Sequence, residues 1–97
     1  MIIEYSKEGI SISDWEIENY ILDCIKNEKD INTSNELLIL VARVFIKEEK
    51  LDYKTTKFLY DGFYIRCDKY GTLENWPDNF CNRNEDYLMR IIDWIGR

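Results

Sequence analysis

N-T-S-N-E-L-L-I-L-V-A-R-V-F-I-K-E-E-K-L, from Asn32 to Leu51, contains the longest apolar run of the chain and decides how the rest must be arranged. Between Leu37 and Ile46 every residue but Arg43 is apolar, so no single stripe at helical spacing divides a wet side from a dry one. Such a helix is covered on more than one side and belongs in the core. Thr33, with Glu36 three residues later, has the form of a capping box, the hydroxyl accepting from an early backbone N–H and the carboxylate reaching back. That spacing predicts a helix start at Ser34 or Asn35. The apolar run is too short for a membrane span, which needs about 20 residues. Lys47 and Lys50 suit the negative end of the helix dipole, and Glu48 and Glu49 partly cancel them.

Toward the N-terminus, Ser13 to Glu16 repeats the capping-box spacing. Ile17, Tyr20, Ile21, Cys24 and Ile25 then follow at i, i+3, i+4, i+7 and i+8. That is one continuous face of an amphipathic helix. Ile2 to Tyr5 reads as a first strand punctuated by Lys7-Glu8-Gly9, and Ile31 as the centre of a very short strand before the central helix. Toward the C-terminus, Asp61-Gly62 lies between Lys57–Tyr60 and Phe63–Asp68, which predicts a hairpin with a two-residue type I′ turn. Alternation puts Phe63, Ile65 and Cys67 on the core side and Tyr64, Arg66 and Asp68 on the wet side. Tyr70-Gly71-Thr72 is a further turn, and Asn75 to Phe80 is irregular around Pro77. Asn82 or Asn84 caps a last helix with Leu88, Ile91, Ile92 and Ile95 on one face and Gly96 near its end. The expected architecture is α/β (or α+β): one domain over residues 1–97, with three helices and a short sheet that includes a hairpin near 57–68.

Ninety-seven residues, 45% hydrophobic and 14% aromatic, form one folded domain rather than a disordered chain. Nineteen acids against thirteen bases give net charge −6, and the bases do not cluster, which argues against direct nucleic-acid binding. The N-terminus lacks the basic start and apolar centre of a signal peptide, so a cytoplasmic location is expected, with no membrane partner. Cys24, Cys67 and Cys81 are an odd number at spacings unlike any zinc module, and are read as reduced and structural.

The chain has no histidine, which removes the commonest general base and transition-metal ligand. Asp61, Asp68, Asp78 and Asp86 fall where turns and caps need them. Cys67 and Cys81 have no histidine to activate a thiolate. No catalytic residue, cofactor or metal is expected. The dense aromatics of the second half, Tyr60, Phe63, Tyr64, Tyr70, Trp76, Phe80, Tyr87 and Trp94, lack the positive groove that base stacking requires. Core packing comes first for them, and a protein-binding patch second.

Met1-Ile2-Ile3-Glu4, Thr33-Ser34-Asn35-Glu36, Glu48-Glu49-Lys50-Leu51 and Trp76-Pro77 with Phe80 come in an order that resembles the C-terminal part of OLD-like ABC-type predicted ATPases of phage-defence systems. The resemblance covers nearly the whole chain through short motifs. It implies that Met1–Glu4 is the Walker B strand, Thr33–Glu36 the switch segment and Trp76–Phe80 the tail motif. The chain departs from the pattern where catalysis would sit. The switch histidine is missing, Tyr5 stands where the catalytic glutamate would follow Glu4, and no glycine-rich phosphate loop exists. What the resemblance implies is therefore a detached or decayed fragment that pairs with an ATPase or imitates part of one.

The expected function is a small, acidic, non-catalytic protein-binding module, an accessory subunit or mimic associated with a bacterial or phage defence ATPase. The alternative is an acidic inhibitor whose carboxylates meet a basic active site: an immunity protein, an antitoxin or an anti-CRISPR-type inhibitor of a nuclease effector. Partners are accordingly another protein, whether a defence ATPase, a nuclease or a toxin. Tyr64, Arg66, Asp68, Tyr70, Trp76 and Asp78 are the expected interface.

Overall fold

The computed structural model describes residues 1–74. Its central element is the helix the apolar run predicts, Glu36–Lys47, with nine of its twelve residues buried from Leu37 to Ile46. Its cap differs from the expected one. Asn35 is the N-cap, its Oδ1 accepting from the Leu37 N–H at 3.0 Å, while Thr33 is already the last residue of a strand. The Thr33 hydroxyl serves that junction instead, accepting from the Asn35 N–H at 3.0 Å and donating to the Ile10 carbonyl at 2.8 Å. Pairing in a sheet holds Thr33 extended, and this moves the cap two residues along, to Asn35.

Six elements make up the described chain: β1 (Ile2–Ile10), α1 (Ile17–Lys26), β2 (Ile31–Thr33), α2 (Glu36–Lys47), β3 (Lys57–Tyr60) and β4 (Phe63–Ile65), with a single 3₁₀ turn at Asp14–Glu16. The sheet order is β2-β1-β3-β4, with β1, β2 and β3 parallel and β4 antiparallel to β3. The overall class is the expected mixed α/β. Two α-helices stand in the described residues rather than three; the expected helix over 82–96 and the Trp76–Phe80 loop lie outside them.

Register explains which side is core. Ile31, Ile3, Phe58 and Ile65 pair in one row across all four strands, and all four are buried. The next row, Thr33, Tyr5, Tyr60 and Phe63, lies on the same face at the carboxyl end of the parallel strands. Helix α1 packs its predicted face, Ile17, Ile21 and Cys24, into the same core as α2. The Ser13 capping box is not used: the 3₁₀ turn intervenes, and the Ser13 side chain makes no cap hydrogen bond.

Strand β1 also runs past its expected end at Tyr5. Tyr5 and Ile10 both partner Thr33, so Ser6 to Gly9 arch outward between them. The arch returns so close to β2 that a Cβ on Gly9 would lie 2.4 Å from the Thr33 carbonyl carbon. Lys7-Glu8-Gly9 thus bends the strand without ending it. The hairpin has the expected turn, with φ of 46° at Asp61 and 87° at Gly62. Strand β4 is shorter than predicted, because the chain turns back at Cys67, which bridges Leu73.

Both helices end in the same way. Glu28 and Glu49 take left-handed φ of 54° and 63°, while Lys29 N–H reaches Cys24 O at 2.9 Å and Lys50 N–H reaches Phe45 O at 2.8 Å. This closure usually employs glycine, since a Cβ is unfavourable there. Glu49→Gly is therefore expected to stabilise the fold by about 0.5–1 kcal/mol in urea unfolding. Gly71→Ala, at φ 79° with a new Cβ 2.4 Å from the Arg43 carbonyl oxygen, is expected to cost at least about 2 kcal/mol. Equal midpoints for Gly71→Ala and the wild type would contradict this packing.

Candidate functional site

The β3–β4 hairpin and the turn behind it carry four of the residues expected at an interface. Tyr64 and Tyr70 are 60% and 62% exposed, and Arg66 and Asp68 are exposed as well. Trp76 and Asp78 lie outside the described residues. Tyr64 pairs with Leu59 on the sheet face turned away from the helices. Tyr70 stands on the following turn, with the Lys69 Nζ 5.1 Å from its ring centroid.

Asp68 works inside this turn. One oxygen, Oδ1, accepts from Tyr70 N–H at 2.8 Å and from Thr72 N–H at 3.0 Å, an aspartate turn that fixes how Tyr70 is presented. Asp68 N–H donates to Thr72 O at 3.0 Å and Glu74 N–H to Arg66 O at 2.9 Å, closing a second, smaller hairpin. Arg43 of α2 holds the turn from beneath, its Nε–H donating to Gly71 O at 2.6 Å. The surface loop is thereby tied to the core helix.

Phe63 is where the sequence reading misses. Its alternation with Ile65 and Cys67 is right, yet it stands 76% exposed because it closes its row on the edge strand β4, at the far side of the sheet from the buried Thr33. The same row holds Tyr5 and Tyr60, stacked with ring centroids 5.2 Å apart and planes 17° apart. Period-2 alternation gives a side chain's face, not its distance from the edge of the sheet. On the opposite face Glu4 Oε2 accepts from Gly62 N–H at 3.0 Å, fastening the central strand to the hairpin turn. Glu4, Ser6, Lys7, Glu8, Asp61 and Gly62 line an open recess of about 470 Å³.

Among the described residues no three or more Cys, Asp or Glu side chains converge as a metal-ligand set. Cys24 and Cys67 are buried and unbridged. Burial pushes the Cys67 thiol up to about 11, against the opposing pull of the Arg43 guanidinium and with the help of the Asp68 carboxylate. Burial is also the main cause that raises Cys24 and Tyr20 above their usual values. Such thiols are held protonated and inert. No family model, curated protein or solved structure matches the chain.

The raised thiol has a measurable consequence. A group whose folded pKa exceeds its unfolded one stabilises the fold below the unfolded value, and that contribution is lost as pH rises through the folded value. Stability is expected to fall between roughly pH 8.5, the usual thiol value, and pH 11. At pH 8, iodoacetamide labelling read by peptide mapping should modify Cys67 at least about tenfold more slowly in the native chain than in urea. Equal rates would contradict its burial.

Proposed function

We propose that the chain is a non-catalytic protein-binding module whose contact surface is the β3–β4 hairpin with the turn that follows it. One observation carries the reading. Phe63 and Tyr64, adjacent in β4, hold large rings in solvent on opposite faces of a hairpin pinned by its type I′ turn, by the β1–β3 pairing and by the Glu4–Gly62 bond. Rings held in place before binding bury much area at small entropic cost, and aromatics of this kind dominate interface energetics. Tyr70 adds a third, set by the Asp68 turn.

The partner is a bacterial or phage defence ATPase, with this chain as accessory subunit or mimic. The order of the segments Met1–Glu4, Thr33–Glu36 and Trp76–Phe80, which resembles that of OLD-like ATPases, supports this choice. Net charge −6 favours a second partner class, a nuclease or toxin whose basic active site this chain would fill as an acidic inhibitor.

Titration calorimetry against a purified ATPase of this class tests the reading. Tyr64→Ala and Phe63→Ala are each expected to weaken the complex by about ten- to thirtyfold while leaving the unfolding midpoint nearly unchanged. Leu22→Ala, an exposed position on α1, should have no effect. Undiminished binding by the Phe63/Tyr64 double variant, or ATP hydrolysis by the purified chain alone, would contradict the proposal.

A further inference from the structure

Among the described residues the helices cover one face of the sheet only. On the other face stand Ile2 and Glu4 of β1, Asn32 of β2, Lys57 and Leu59 of β3, and Tyr64 of β4. None of these residues is buried, and Ile2 and Tyr64 are 38% and 60% exposed. Three of the four strands run parallel, and parallel sheets are almost always covered on both faces. No described element covers this one.

Charge on the open face is sorted along the strands. Leu59 and Tyr64 pair at its middle. Two residues before Leu59 stands Lys57, and two residues after Tyr64 stands Arg66, level with Lys57 in the same antiparallel register. Neither cation has an ion pair among the described residues. Two residues after Leu59 stands Asp61, which lines the recess of about 470 Å³ together with Glu4 and Glu8. The basic row and the hairpin turn are thus four residues apart on one strand, about 13 Å in extended chain.

We infer that this open face stacks on the same face of a second copy of the chain. A contact between identical faces has to be self-complementary, each patch meeting itself through a two-fold axis. An axis lying along the Leu59–Tyr64 row, across the strands, meets that condition, because Lys57 and Asp61 are equally distant from Leu59. Each copy then lays Lys57 and Arg66 over the other's Asp61, Glu8 and recess, and the charge complementarity occurs twice. Leu59 and Tyr64 meet their equivalents at the centre, while Glu4 is drawn aside toward the turn by its bond to Gly62 N–H. Four strands about 4.8 Å apart and about 13 Å long bury on the order of 500–800 Å² in total, less than a permanent dimer requires. The pair is therefore reversible. Phe63 lies on the other face and takes no part, so this contact does not depend on the partner-binding reading above.

Sedimentation velocity at concentrations from about 10 μM to 1 mM tests the inference, in salt of about 0.15 M, which screens the net charge of −6 beyond about 8 Å. The wild-type chain should pass from monomer to dimer across this range. Lys57→Glu with Arg66→Glu reverses the basic end, and Glu8→Lys with Asp61→Asn reverses the recess end while keeping a residue type suited to the turn. Each pair of substitutions alone should weaken association at least about tenfold, and an equimolar mixture of the two variants should recover it to within about threefold of wild type. Phe63→Ala should change it less than about twofold. A wild-type chain that stays monomeric throughout, whether the face takes up residues 75–97 or stays bare, would overturn the inference. So would a mixture of the two variants, each unfolding at the wild-type midpoint, that fails to associate, or a loss in Phe63→Ala as large as theirs.

Discussion

Helix α2 cannot be left with a side facing water. Nine of its twelve residues are buried, and removing an apolar side chain of that size from solvent is worth roughly 1.5–3 kcal/mol. No one layer covers a helix so uniformly apolar. The core row of the sheet, the amphipathic face of α1 and the 67–73 turn all pack into the one cluster that α2 fills. Arg43, the residue that interrupts the apolar run, is the exception that fits: it is half-buried, and its guanidinium fastens Gly71 onto the helix.

Burying α2 also buries its N-terminus, where the first backbone N–H groups have no partners within the helix. Asn35 and Thr33 meet that requirement. The Asn35 amide donates twice and accepts once, and Thr33 accepts from the Asn35 backbone while donating to Ile10. Two small polar side chains, both buried, thereby join the end of β1, the turn at 12–14 and the start of α2. A buried polar group left unsatisfied costs about 1–3 kcal/mol, so this junction specifies the arrangement as much as it stabilises it. Its consequence lies at the carboxyl end of the sheet, where β1 must arch at Ser6–Gly9 to return to Thr33 and where Trp15 and Phe63 stay in solvent.

Elements whose signals are local were legible in the sequence. Asp61-Gly62 marks the hairpin because two consecutive left-handed residues suit those types, and the 3.6-residue period of Ile17 to Ile25 marks α1. The run Leu37–Ile46 marks a covered helix. What escaped depends on contacts distant in sequence. Thr33 has the spacing of a cap, yet pairing with Tyr5, twenty-eight residues away, makes it a strand residue. Gly9 reads as punctuation, and only its approach to the Thr33 backbone shows that it permits the strand to continue. Asp68 has the turn role that its residue type suggests, but its partners Tyr70 N–H and Thr72 N–H are recognisable only once the chain has reversed. Phe63 has the right face, but alternation is silent about which strand lies at the edge of the sheet.

The surface reading follows from the same economy. With the described apolar residues drawn to one face of a four-stranded sheet, Phe63 and Tyr64 of the edge strand stay exposed, on a hairpin paired to β1 through β3. All of this presupposes that α2 is the most deeply protected element. Native-state hydrogen exchange measures that directly. The amides of Leu40 to Val44 should exchange only through global unfolding, with protection equal to the full stability of the fold and at least that of β1. Exchange of those amides through local openings while β1 remains protected would contradict the account.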